Sequence, residues 1–72
     1  MAIPRNMQII AEVGHFWSAY DSGRLSHAVG MRRDQNPWDT ALSRTHVNCP
    51  DWWRGWDAEA AYQAAATVAK EV

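Results

Sequence analysis

The stretch CPDWWRGWDAEAAYQAAATVAK, residues 49–70, decides the fold. Pro50 suits the first turn of a helix, where a missing N–H removes no hydrogen bond. Asp51 sets negative charge at the positive end of the helix dipole. Advancing by about 100° per residue puts Trp52, Trp53, Trp56, Ala60, Gln63, Ala64 and Thr67 on one arc of about 120°. The alanines between Ala58 and Ala69 add helix propensity and a thin profile for close packing. One helix over about 49–70 follows, and its apolar arc needs a partner.

Residues 7–29 supply that partner. Ile9, Val13, Phe16, Trp17 and Tyr20 share an arc of about 120°, with Ile10 at its edge and Glu12, His15, Ser18 and Ser22 opposite. Asn6 can cap the first turn, and Gly30 can end the helix in the left-handed conformation. Gly14 and Gly23 each weaken the helix interior by about 1 kcal/mol relative to Ala. Residues 30–48 have no clear period. Pro37 keeps Asn36 out of helical geometry, so Asn36-Pro37-Trp38 should form a turn or an extended corner. The connection exceeds the roughly two to eight residues that a plain helical hairpin needs. Trp38 and Leu42 should therefore fold back over the helix pair. The expected fold is all-α, a single domain over 1–72: a two-helix hairpin with a long ordered crossover loop packed by tryptophans.

With 47% hydrophobic and 21% charged residues, the 72-residue chain has the composition of a folded domain rather than a disordered segment. Seven Lys+Arg face eight Asp+Glu, a net charge of −1. A pI near 6.2 lacks the basic excess, above roughly 9, that marks nucleic-acid-binding domains. One cysteine gives no internal disulfide framework and points to a reducing, cytoplasmic setting. No apolar run approaches the roughly 18 residues of a membrane span, and no secretory h-region follows the start. So small a chain has a marginal core unless large side chains fill it, and the five tryptophans answer that need.

Three segments carry a family likeness: Ala19-Tyr20-x-x-Gly23, Asn36-Pro37-Trp38, and Trp53-x-Gly55-Trp56 followed by Ala58. Together they resemble the ribosome modulation factor family and its relatives, the CrpP group of small plasmid and phage proteins. The likeness covers about residues 19–60, and Trp38 stands where family members usually carry tyrosine. It implies a two-helix hairpin with a structured linker. It also implies a protein that binds the small ribosomal subunit near the end of its RNA and promotes inactive ribosome pairs. The motif residues Tyr20, Gly23, Asn36, Pro37, Trp53, Gly55 and Trp56 read as structure. A glycine beside an aromatic on adjacent turns lets a second helix or a tryptophan ring approach closely.

The basic concentration is Arg24, Arg32 and Arg33, with His27 between them and Arg44 further along. Arginine's planar fork suits phosphate or carboxylate, although cations near a helix C-terminus are favoured on their own account. Trp38 and Trp52 are the aromatics best placed to stack on a base or to anchor a protein interface. His46-x-x-Cys49 has metal-ligand spacing, but only His15 and His27 remain as nitrogen donors and no CxxC is present, so no metal is expected. Some CrpP relatives have been proposed to phosphorylate a quinolone drug. This chain has no GxxxxGK[ST] loop, one lysine (Lys70), and no arrangement of Asp34, Asp39 and Asp51 fit to hold a metal. The expectation is a protein with no catalytic residues, no cofactor and no small-molecule substrate.

Two functions then compete. One is a ribosome-modulation-factor-like binder of the small ribosomal subunit, through its RNA or its proteins, that modulates translation. The other is a phage- or plasmid-type modulator that binds a host protein complex, as an anti-defence or anti-CRISPR protein does. Six arginines against a single lysine, with abundant tryptophan, fit the second, because interface cores are aromatic and poor in lysine. An uncovered apolar face would also allow a homodimer.

Overall fold

The computed structural model describes residues 3–71, with side chains through Val68. Three α-helices follow one another with no strand among the described residues: α1 (Arg5–Val13), α2 (Ala19–Ala28) and α3 (Asn48–Glu71). A single 3-10 turn, Arg33–Gln35, lies in the connection between α2 and α3. The all-α class is as expected; the two-helix hairpin is not, because the segment read as one helix over 7–29 is two.

The break falls at Gly14, whose φ of 75° and ψ of −123° take the chain into a region that side chains other than hydrogen resist. A new helix then starts with its own cap. Ser18 Oγ accepts from Asp21 N at 3.1 Å and donates to the Asp21 carboxylate at 2.9 Å, so Ser18 caps α2 rather than lining the back of a longer helix. Asn6 is inside α1, and Pro4 holds the position before it. The apolar arc predicted across this segment therefore does not survive. Phe16 lies in the connection with 91% of its surface exposed, and Trp17 and Tyr20 are also exposed. α2 closes with Met31 N on Ser26 O (2.9 Å) and Gly30 N on His27 O (3.1 Å), the paired bonds of a Schellman cap, with Gly30 at φ 93°.

α2 and α3 cross backbone against backbone. A Cβ at Gly23 would strike the Trp52 carbonyl and stand 2.9 Å from Trp56 N; one at Gly55 would strike the Tyr20 carbonyl. Each helix thus places its glycine against the main chain of the other, which brings the axes closer than side chains would permit. At Tyr20 the crossing uses the backbone, and the ring stays exposed. The buried face of α3 accordingly centres on Trp52, Gly55 and Glu59, rotated from the predicted arc, with Trp53, Trp56 and Ala60 flanking it.

The apolar core is small: Ile9 from α1 and Cys49 and Trp52 from α3. Glu59, 1% exposed, is buried beside it and held by Arg5 of α1 through two bonds, 2.7 and 2.9 Å. Burial pushes the Glu59 carboxyl up, but hydrogen bonds from Arg5 and Gln63 outweigh it and hold the group below the usual carboxylate range. Arg5 also stacks on the Tyr62 ring, 3.9 Å from its centroid. α1 is thus fastened to the middle of α3. A helix of 24 residues is about 36 Å long, which accounts for most of the 44 Å long axis. Among the described residues, no helix is long and apolar enough to cross a membrane.

Candidate interaction surface

The connection over residues 29–47 is built onto the first half of α3 by three polar ties. Trp56 Nε1 donates to Met31 O at 2.9 Å, and Trp53 Nε1 donates to Arg33 O at 3.0 Å. Asn36, itself buried, donates from Nδ2 to Cys49 O at 2.9 Å while its Oδ1 accepts from Trp38 N at 2.9 Å. Asn36 therefore forms an Asx-turn pinned to the start of α3, with Pro37 fixing the next dihedral. The edge of the His27 ring meets Trp56 with centroids 4.6 Å apart. Asn36, Pro37, Trp53 and Trp56 thus hold the scaffold together, and the surface is made by the rest of the connection.

That surface runs from Arg32 to Val47. Ser43 Oγ donates to Trp38 O at 2.7 Å and lies 2.7 Å from the Thr40 hydroxyl, closing a compact turn with Leu42 at its tip. Leu42 is 98% exposed, which corrects the expectation that it folds back over the helices. Trp38 is half-buried and stacks on His46, centroids 5.9 Å apart and planes 20° from parallel. His46 Nδ1 accepts from Asn48 N at 3.1 Å, whereas the Cys49 thiol is buried beneath Asn36. No group of three or more metal-ligating side chains converges among the described residues, and no pocket opens on their surface.

Each sequence-predicted arginine has a carboxylate. Arg24 binds Glu12 (3.1 Å) and Asp21 (3.4 Å) and is mostly buried between α1 and α2, away from the connection. Arg32 pairs with Asp34 at 3.0 Å and Arg44 with Asp39 at 3.0 Å, both in the open. Arg33 makes two bonds to Asp57, 2.9 and 3.1 Å, and lies over the Trp53 ring. The Arg33 guanidinium holds the Asp57 carboxyl below its ordinary value, and the carboxylate in turn raises Arg33. Arg5 and Arg54 are paired as well, with Glu59 and Asp51. All six arginines and the seven described acidic residues thus answer one another within the chain.

The structure brings Arg32, Arg33, Trp38 and Arg44 onto one continuous connection and leaves Arg24 apart. Trp52 is not available to a partner: only 1% of it is exposed, because it fills the core at the crossing. Sequence reasoning missed Leu42 and Val47 as exposed apolar residues of this surface. The hydroxyl pattern Thr40-x-x-Ser43 was the available signal, since it favours a local turn that turns the residues between outward. Comparison with protein-family models, with curated proteins and with solved structures returned no match.

Proposed function

We propose that this chain is a small non-enzymatic binding protein whose target is a protein, recognised through the connection between α2 and α3. The observation that carries the reading is the pairing of Arg32, Arg33 and Arg44 with carboxylates of the same chain, on the connection that also carries the exposed Leu42. Phosphate binding needs cations whose counterions can be released. Internally paired arginines on a connection with an exposed apolar tip suit a protein surface instead, with Leu42 and Trp38 as anchors and the charged pairs as polar contacts. The target is a host protein complex in the cytoplasm, of the kind that mobile elements inactivate, and binding modulates it. The test is affinity capture from bacterial lysate with wild type and with Leu42→Asp. One protein complex, retained by wild type and lost by the variant, is the expected result. Ribosomal subunits captured equally by both would overturn it.

A second reading keeps the small ribosomal subunit as the target and modulation of translation as the role. It is favoured by the exposure of the Arg32–Asp34 and Arg44–Asp39 pairs on both sides, since exposed pairs are weak and an RNA phosphate could displace the carboxylate. Loss of capture on Arg32→Ala/Arg44→Ala, with Leu42→Asp unaffected, would select it.

A further inference from the structure

α1 is tied lightly to the rest of the fold. It has nine residues, under the roughly 12–15 that an isolated helix needs in water. Ile9 is the one side chain it buries completely, while Met7, Ile10 and Ala11 are exposed. Its ion pairs to the other helices lie at its two ends. Arg5, its first residue, reaches Glu59 of α3 with bonds of 2.7 and 2.9 Å. Glu12, in its last turn, meets Arg24 of α2 at 3.1 Å. Beyond it the chain turns at Gly14 and runs through exposed His15, Phe16, Trp17 and Ser18 before α2 begins.

The other elements are joined differently. α2 and α3 meet main chain to main chain at Gly23 and Gly55, and Trp53, Trp56 and Asn36 bind the connection to α3. None of these contacts includes a residue of α1. They can stay made while α1 moves.

We infer that α1 is a releasable strap: it undocks as a unit, parting Arg5 from Glu59 and Glu12 from Arg24 and withdrawing Ile9, while the α2–α3 crossing and the connection stay folded. Local opening takes the least anchored element first. What the strap controls is Glu59. Docked, this carboxylate is 1% exposed and answered by Arg5. Released, it keeps the Gln63 bond and the through-space attraction of Arg24 but loses both bonds to Arg5. A carboxylate without its cation does not stay out of water, so it hydrates or meets another cation. The strap therefore sets whether α3 carries a covered ion pair or an open acidic group, on the same helix face as Trp52 two turns away. This holds whatever molecule the connection binds.

Native-state hydrogen exchange on the full chain, followed by NMR at low urea concentrations, tests it. The amides of Ile9–Val13, bonded within α1, should exchange together, at least about tenfold faster than those of Gly23, Leu25, Gly55 and Trp56. Their rates should also rise less steeply with urea, because undocking exposes less surface than unfolding. Glu12→Gln, a change at an exposed side chain, should speed α1 exchange by up to about fivefold. Arg5→Ala should speed it by about a hundredfold or more, since Glu59 is left buried without its cation. Trp56→Phe weakens the α2–α3 unit instead. It should speed exchange there by about fivefold and leave α1 unchanged, because the strap opens without breaking the bond to Met31. The wild-type comparison needs no variant to fold. Equal rates and equal urea slopes in α1, α2 and α3 would overturn the inference, as would α1 amides with no protection at all. So would α1 rates that ignore Arg5→Ala, or that rise with Trp56→Phe as much as the others do.

Discussion

Gly23→Ala sets two physical effects against each other, and their sum has a definite sign. In a solvent-facing helix the change stabilises by about 1 kcal/mol, because alanine has the better propensity. At the crossing, the added methyl meets main chain rather than a yielding side chain. It would stand 2.9 Å from both the Trp52 carbonyl carbon and Trp56 N, with the carbonyl oxygen nearer still. Carbon contacts are relaxed at about 3.5–4.0 Å, so α2 and α3 must part by much of an ångström or more. Overpacking of this kind costs about 1–3 kcal/mol and occasionally more, and a rigid obstacle puts it at the upper end. The net destabilisation is about 2–3 kcal/mol out of about 4–11 kcal/mol for a chain this size. Thermal unfolding followed by circular dichroism should show the midpoint lower by about 8–24 °C. Gly55→Ala should behave alike, since its methyl strikes the Tyr20 carbonyl. A Gly23→Ala midpoint at or above that of wild type would refute the backbone crossing.

Three further outcomes follow from the same contacts. Trp56→Phe keeps the ring near His27 but leaves Met31 O without its donor, at a cost of about 1 kcal/mol, whereas Trp56→Ala should cost about 3–5 kcal/mol; urea midpoints separate them. Asn36→Ala leaves Trp38 N without its acceptor and takes the side-chain tie from Cys49 O, and should cost about 1–3 kcal/mol by the same measurement. Glu59 has a folded-state pKa below its unfolded one, so its stabilising contribution is complete above the ordinary carboxylate range and is lost as pH falls through the lower folded value. Removing Arg5 leaves burial dominant on Glu59, so Arg5→Ala should be less stable at neutral pH and should lose less on acidification, read as thermal midpoint against pH.

The helical class was legible because long stretches of this chain carry strong propensity and few breakers. Asn36-Pro37 was legible as a corner, since proline restricts the residue before it whatever the tertiary setting. The break at Gly14 was hidden by a coincidence of phase: Ile9, Val13, Phe16 and Tyr20 continue a helical spacing straight through it. Ser18-x-x-Asp21 was the contrary signal, a capping pattern that only makes sense if a helix begins there. The choice of Trp52 as an accessible ring failed for a different reason. Three tryptophans within five positions all lie near one face, and the one that is buried depends on where Gly55 lets α2 cross. The character of the basic patch depended on partners far along the chain, with Arg33 reaching Asp57 and Arg5 reaching Glu59. No local pattern announces those pairs.

In the proposed recognition, the arginines of the connection stay with their carboxylates and Leu42 leads contact with a protein. The salt dependence of affinity for the captured partner tests it most directly, measured on wild type, Arg32→Ala/Arg33→Ala and Leu42→Asp. The expected result is a shallow slope of log affinity against log salt, little changed by the double arginine substitution, with the largest loss of affinity from Leu42→Asp. A steep slope that falls by roughly 0.7–0.9 for each arginine removed would mean that phosphates are being neutralised, and would contradict it.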